Sequence, residues 1–185
     1  MANKDAPFGF IPVRMIGGAY FSGGQAEYDI GSTYGTNMFT GDVVELHTDG
    51  TIVIGAVGAT NLIGVFNGCF YTDPTTSKPT FKNYWPASVA AEAQAFVYDN
   101  PDDLFEVQAT GILVRATVSR ACDMAYTTGA TINGRSKEEI SVTAGADLAV
   151  RVVRISGDPA NSDIATANAN WIVKFNEHIY YNYST

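Results

Sequence analysis

Charged residues are scarce in this 185-residue chain. Asp, Glu, Lys and Arg make up only 16% of it, against about 25% in ordinary globular proteins. A chain with so few charges must cover its surface with uncharged polar groups or hide part of that surface against partners. We therefore expect some of the surface to be buried in an assembly.

Basic residues are the scarcest of the charged types. Eleven Lys and Arg stand against 19 Asp and Glu, which gives a net charge of −8. The basic residues do not cluster: the nearest pairs are Arg115 with Arg120 and Arg151 with Arg154. Nucleic-acid binding requires a positive surface that displaces counterions from phosphates. The charge therefore predicts no nucleic-acid partner.

Long apolar runs and paired cysteines are also lacking. No stretch approaches the roughly 18 apolar residues of a membrane span. Residues 1–14 contain Asp5 and two prolines but no apolar core of a secretory signal. Cys69 and Cys122 are isolated and have apolar neighbours, which predicts buried free thiols. These features predict synthesis in the cytoplasm and no membrane partner.

Motifs for catalysis or metal binding are few. The two histidines, His47 and His178, occupy positions expected to be exposed, and their spacing from the cysteines matches no zinc site. Nucleophile-elbow and phosphate-loop motifs are missing. The acidic run 99–103 is typical of a turn and lacks the ligand spacing of a calcium loop. No carboxylate lies in a setting expected to raise its pKa. The sequence thus predicts no enzyme, no metal site and no cofactor.

The N-terminal part of the chain is rich in glycine and tyrosine. Residues 1–39 have too little apolar content for a core of their own, although aromatic and aliphatic side chains recur there. This pattern predicts an extended N-terminal arm, 1–39, lying against a body formed by 40–185. Residues 7–21 are expected to dock on a partner; the alternative is an ordinary edge strand of the body.

The body has the alternating pattern of β-strands. Residues 43–48 and 51–54 predict a hairpin, with Asp49-Gly50 supplying two positive φ angles. Gly64 and Gly68 predict bulges or bends within a strand over 62–71.

A short helix is predicted over 111–122, and loops over 72–86 and 157–170. The fold class is all-β, mainly antiparallel: a small barrel or sandwich with at most one short helix. Further strands are predicted over 91–98, 105–109, 139–143, 146–155 and 171–179.

Six blocks of the sequence resemble small proteins encoded beside the major capsid protein in tailed-phage genomes. They are residues 3–14, 40–43, 63–66, 83–87, 96–108 and 171–178. The blocks occur in the same order from end to end. The Asp-x-Pro-Asp run at 99–102, followed by Phe-Glu-x-Gln at 105–108, is the most specific, whereas residues 41–43 alone would be a weak match. The chain is thus similar to the head decoration, or capsid cement, family.

The resemblance implies a structural virion protein on the outer surface of the capsid. Members bind the expanded shell and clamp neighbouring major capsid subunits, often as homotrimers. The implied partners are the major capsid protein and the chain itself. The side chains expected to make these contacts are aromatic, aliphatic or basic residues of the arm and of the loop 72–86: Phe8, Phe10, Ile11, Val13, Arg14, Tyr20, Phe21, Phe81, Tyr84 and Trp85.

Two other functions compete with this interpretation. A receptor-binding or tail-associated module would use exposed aromatics for a carbohydrate and would usually carry a trimerising stalk, for which no repeat is present. A glycan hydrolase would need two carboxylates roughly 5 to 10 Å apart in a cleft.

Overall fold

A computed structural model describes residues 2–88, 90 and 92–181. Fourteen strands and two three-residue 3-10 turns, Ile16–Gly18 and Arg115–Thr117, occur in this part. The all-β, antiparallel prediction is confirmed. The strands are β1 (Ile11–Met15), β2 (Ala26–Asp29), β3 (Met38–Phe39), β4 (Val43–Leu46), β5 (Ile52–Ile54), β6 (Leu62–Thr72), β7 (Pro79–Lys82), β8 (Tyr84–Trp85), β9 (Ala93–Tyr98), β10 (Asp103–Gln108), β11 (Ala121–Ala125), β12 (Glu139–Gly145), β13 (Val150–Ile155) and β14 (Asn170–Phe175).

Most strands belong to two antiparallel sheets. Sheet 1 has the order β1-β10-β14-β13-β11-β12, and sheet 2 has the order β2-β9-β6-β4-β5, with β7 also paired to β6. Strands β3 and β8 form a separate two-stranded ladder. The long strand β6 is central to sheet 2, because β9 lies along one edge while β4 and β7 share the other.

Two hydrophobic cores lie on opposite faces of sheet 2. Leu62 and Val65 contact the first core, which sheet 1 closes with residues such as Trp171. Ile63 and Phe66 contact the second core. Because this half of β6 is covered on both faces, its residues are apolar at successive positions and do not alternate with polar ones.

The predicted hairpin is confirmed, but its turn differs from the prediction. The N–H of His47 donates to Thr51 O at 2.8 Å, and that of Gly50 donates to His47 O at 3.0 Å. The loop therefore has three residues, and of these only Gly50 has a positive φ, 86°. Asp49 instead accepts the Thr51 N–H on Oδ1 at 3.0 Å, as aspartate commonly does in turns.

The bulges predicted in β6 are confirmed. Gly64 has φ 153°, and a Cβ there would lie 2.1 Å from Tyr98 O. The register between β6 and β9 shifts between Phe66 and Cys69, which brackets Gly68. Glycine is needed at position 64 because the neighbouring backbone leaves no room for a side chain.

Two predictions of local structure are wrong. Residues 111–122 form no helix: the chain makes the 3-10 turn Arg115–Thr117 and enters β11 at Ala121. The β-branched residues of this stretch disfavour a helix, and pairing with β12 and β13 stabilises the strand. Residues 72–86 are not one loop, since β7 returns along β6. Asp73 organises the intervening turn by accepting the N–H groups of Thr75 and Thr76 on Oδ1.

Residues 157–170 are held more firmly than a loose surface loop. Asn161, which is nearly buried, donates through Nδ2 to Lys4 O at 2.8 Å and to Asn168 O at 2.9 Å. Gln108 donates to the same Lys4 oxygen at 3.0 Å. These side chains attach the N-terminal residues to the body.

The segment predicted as an extended arm contributes strands to both sheets. Strand β1 is an edge of sheet 1, and β2 is an edge of sheet 2. Residues 7–21 therefore include the edge strand named above as the alternative to a docking arm. The ends of the predicted domains at residues 1 and 182–185, and the predicted strand start at 91, lie outside the described residues.

Cys69 and Cys122 are buried free thiols, as predicted. In the described part of the chain, no helix is long and apolar enough to span a membrane. Those same residues also contain no cluster of three His, Cys, Asp or Glu able to hold a metal ion.

Candidate docking surface

Sheet 2 presents aromatic side chains to solvent where sheet 1 does not cover it. Val65 is buried in the first core. Further along β6, the side chains of Cys69 and Tyr71 point into the second core, so Phe70 between them points to the opposite face. Phe70 is 42% exposed, and its cross-strand partner Phe81 is 62% exposed.

These rings continue into a row along β9. Phe96 lies beside Phe81, with ring centroids 5.9 Å apart. Tyr98 lies two residues further along the same face and packs edge-on against Phe21 at 5.1 Å. We call the set Phe21, Phe70, Phe81, Phe96 and Tyr98 the aromatic face.

A groove of about 580 Å³ opens beside the inner end of the aromatic face. It is lined by the segment 8–12 that leads into β1, by residues of sheet 2, and by residues outside the two sheets such as Thr40 and Arg135. The groove therefore brings together the two sequence stretches predicted to contact partners, with five of the predicted residues among its lining: Phe8, Phe10, Ile11, Phe21 and Phe81. The remaining lining residues are Pro12, Thr40, Gly41, Val65, Phe66, Asn67, Asn83, Tyr98 and Arg135.

The wall formed by 8–12 is fixed by backbone pairing and by its own buried ring. The N–H of Phe10 donates to Gly41 O at 2.9 Å. Gly9 has φ 77°, and a Cβ there would lie 2.5 Å from Ser136 Cβ. Phe10 stacks on Phe175 with centroids 6.0 Å apart. This part of the predicted arm is therefore pre-ordered against its own body.

Arg135 is the single charged side chain among the described residues that line the groove. Its backbone bridges to Thr40, and the Thr40 N–H donates to Gly134 O at 3.0 Å. Gly134 has φ 67°, and a Cβ there would lie 2.3 Å from Asn83 Oδ1. Neither ion pair found within the described residues involves the Arg135 side chain. Within the part of the chain that the structure describes, a cation without an ion-pair partner thus lies at an apolar groove.

The other predicted contact residues do not line the groove. Val13 is half-buried, whereas Arg14 and Tyr20 are exposed and form a backbone bridge. Tyr84 stacks on Phe39 with centroids 5.7 Å apart.

Phe10 and Trp85 need a correction as contact residues. Their side chains belong to the first and second cores, with 1% and 0% exposure. Trp85 also donates through Nε1 to Tyr34 O at 3.0 Å. Rings already buried within the chain can support a docking surface, but they add almost no area to it.

Several surface residues were missed from the sequence. Phe96 and Tyr98 share one side of the alternating stretch 93–98, and this pattern could have identified them. Phe70 could be placed only once the bulge before Cys69 was known. For Arg135 there was no signal, because it follows a glycine in a polar loop.

Comparisons with protein-family models, curated proteins and solved structures find no match for this chain. The kinship with decoration proteins thus remains a prediction from the sequence blocks. Any function must therefore be inferred from those blocks and from the surface of the chain.

A second groove, of about 540 Å³, lies at the opposite end of β9. Asp29 and Glu92 line it together with Phe70 and Gln94, and both carboxylates are exposed. The two grooves thus differ in charge: the first is lined by the basic residue Arg135, and the second by two acidic residues.

A buried acidic pair corrects the expectation that no carboxylate has a raised pKa. Burial raises the pKa of Asp42 to about 6. Burial and, in addition, the nearby Asp42 hold the pKa of Glu138 well above its usual value. The Ser136 side chain partly offsets the rise in the pKa of Asp42, and its Oγ accepts the Glu138 N–H at 3.0 Å. Both carboxyl groups are fully buried, so neither contributes to the groove lining.

His178 is buried rather than exposed, which corrects a second expectation. It forms a parallel bridge with Leu62, and its Nδ1 accepts the Tyr180 N–H at 3.2 Å. Burial lowers the pKa of His178. His47 is exposed, as predicted.

Proposed function

We propose that this chain is a head decoration protein of a tailed phage. It binds the outer surface of the capsid and clamps neighbouring major capsid subunits. Its role is to bury surface against those neighbours and so stabilise the DNA-filled head, without catalysing a reaction.

The observation that supports this proposal best is the aromatic face beside the groove. Large aromatic side chains such as Phe70 and Phe81 are exposed on sheet 2. They lie next to a groove whose arginine forms no ion pair with the described residues. Aromatic residues and arginine dominate the energetics of protein interfaces. Burying apolar surface contributes about 25 cal/mol per Å², so a partner covering these rings would stabilise the contact.

The remaining properties agree with a repeated structural contact. The net charge of −8 favours the outside of a DNA-filled shell over its lumen. Many identical copies on one shell make individually weak contacts effective through multivalency. A homotrimer, as the resemblance implies, would strengthen each attachment in the same way.

The direct test is binding to expanded heads that lack this protein. The double variant Phe70→Ser/Phe81→Ser should lose cosedimentation with the heads, because it removes the two most exposed rings of the aromatic face. Ile132→Ser is the matched control, since Ile132 is 95% exposed and lies outside the groove. Deleting residues 2–21 would be less informative, because it also removes Phe10 from the core.

Failure of the wild-type protein to bind heads would refute the proposal. Antibody labelling of whole particles adds a second test, because label on the tail would favour a receptor-binding or tail-associated module. The glycan hydrolase alternative would place its carboxylates in the second groove. Release of sugar from host cell wall, abolished by Asp29→Asn, would establish that alternative.

A further inference from the structure

The charge of the groove differs from that of the chain as a whole. The chain has 19 acidic residues, yet the described lining of the groove contains Arg135 and no carboxylate. The walls around this cation are mainly apolar and include Phe8, Ile11 and Phe81. An occupant that matches this lining combines apolar surface with a single negative charge.

We propose that the groove binds an extended, acidic segment of the major capsid protein exposed on the outer face of the shell. The segment brings one Asp or Glu carboxylate to Arg135 and lays apolar side chains against the aromatic walls. This inference rests on the proposed function and names the chemistry of the partner.

Arg135 is well suited to hold a carboxylate. A guanidinium can donate two parallel hydrogen bonds to one carboxylate, which gives both strength and orientation. The backbone bridge to Thr40 and the positive φ of Gly134 fix the main chain at this point. Binding therefore costs mainly the side-chain freedom of Arg135, which favours affinity.

The shape and polar lining favour a peptide over other anionic partners. Nucleic acid requires a series of cations that follow its phosphates, whereas the described lining offers one. Asn67, Asn83 and Thr40 also line the groove. Each already donates a side-chain hydrogen bond within the chain, so they offer an occupant chiefly their acceptor oxygens. Such groups can hydrogen-bond the backbone of an extended peptide.

The first experiment measures the affinity of Arg135→Glu for expanded heads. We expect a loss of at least tenfold, because the variant places a negative charge opposite the carboxylate of the occupant. Arg120→Glu is the matched control, since it changes the net charge equally at an exposed position outside the groove. Arg135→Lys should retain part of the affinity, because the charge remains while the paired hydrogen bonds are lost.

The second experiment uses overlapping peptides of about 15 residues that span the outer surface of the capsid protein. One acidic peptide should bind the wild-type chain and not Arg135→Glu, and replacing its Asp or Glu by the amide should weaken binding similarly. Equal head binding by wild type and Arg135→Glu would overturn this inference and leave the decoration role standing. No head binding by the wild type would overturn both.

A sedimentation measurement on the free protein tests one other candidate occupant of the groove, a second copy of this chain. If Arg135→Glu lowers the oligomer mass and leaves head binding unchanged, the groove is filled by a second copy of this chain, and the inference is wrong. An unchanged oligomer mass with weakened head binding supports it.

Discussion

The main-chain N–H of Val43 donates to Glu138 Oε2 over 2.8 Å. The bond attaches β4 to the segment that leads into β12. Asp42 immediately precedes Val43, so a second carboxyl group is buried at the same place. Oδ1 of Asp42 and Oε1 of Glu138 have no hydrogen-bond partner among the described residues. Buried carboxylates without a cation or a full set of donors cost free energy.

Stability should therefore fall as the pH rises through the titration of Asp42. Burial raises the pKa of this carboxyl from its ordinary 3.8 to about 6 in the folded chain. The folded state binds the proton more tightly than the unfolded state, so the stabilising effect is complete below about pH 4 and lost by about pH 6. At roughly 1.4 kcal/mol per pKa unit, Asp42 should lower the free energy of unfolding by about 2 to 3 kcal/mol over this pH range.

Asp42→Asn should remove this contribution. Asparagine keeps an oxygen that can accept the Phe39 N–H, as Asp42 Oδ2 does at 2.7 Å, but it carries no charge. Relative to the wild type, we expect the variant to gain stability between pH 4 and pH 8 in urea unfolding. Asp147→Asn, at an exposed position, should follow the wild-type curve. A variant with the same pH dependence as the wild type would show that Asp42 is not the source.

Gly64→Ala should destabilise the fold severely. The added Cβ would meet Tyr98 O at 2.1 Å, so β6 and β9 would have to separate at the centre of sheet 2. We expect a loss of about 3 kcal/mol or more in the free energy of unfolding. Gly157→Ala is the control, because a Cβ there meets nothing within 4 Å. Similar denaturation midpoints for the two variants would contradict this role for Gly64.

Phe10→Ala should mainly lower the stability of the fold, whereas Phe81→Ala should mainly weaken binding to heads. Phe10 packs against Phe105 and Phe175 in the first core, so its truncation should cost about 3 to 5 kcal/mol. Phe81 is mostly exposed, and its truncation should cost about 1 kcal/mol or less while weakening head binding. Thermal unfolding and cosedimentation measure the two effects separately. A large loss of stability from Phe81→Ala would assign that ring to the core instead.

Neither cysteine should react with a thiol reagent in the native protein. Burial raises the pKa of the Cys69 thiol to about 12 and also raises that of Cys122, and the thiolate is the reactive form. The two thiols lie in different cores, so no disulfide between them is expected after oxidation. Titration with a chromogenic disulfide should find both thiols only after unfolding. Rapid native labelling of either would contradict their burial.

The sequence by itself determined many of the strands of the body, because alternation of polar and apolar residues is a local property with a period of two. It also located the hairpin after Leu46 and the bulges at Gly64 and Gly68. The two stretches predicted to contact partners, 7–21 and 72–86, each contribute residues to the groove, and both were recognisable by aromatic residues without a local core. The prediction of a helix over 111–122 is wrong because pairing between distant strands decided the conformation of that segment.

Only the tertiary structure decided which aromatic rings are buried. Alternation shows that Phe96 and Tyr98 share a face, but whether that face is covered depends on where sheet 1 ends. For the same reason the sequence could not show that Phe10, Trp85 and His178 are buried, because the chain segments that cover them are remote in sequence. Arg135 reaches the groove through backbone pairing with Thr40, and Asp42 meets Glu138 across the fold. No local pattern encodes contacts between residues so far apart.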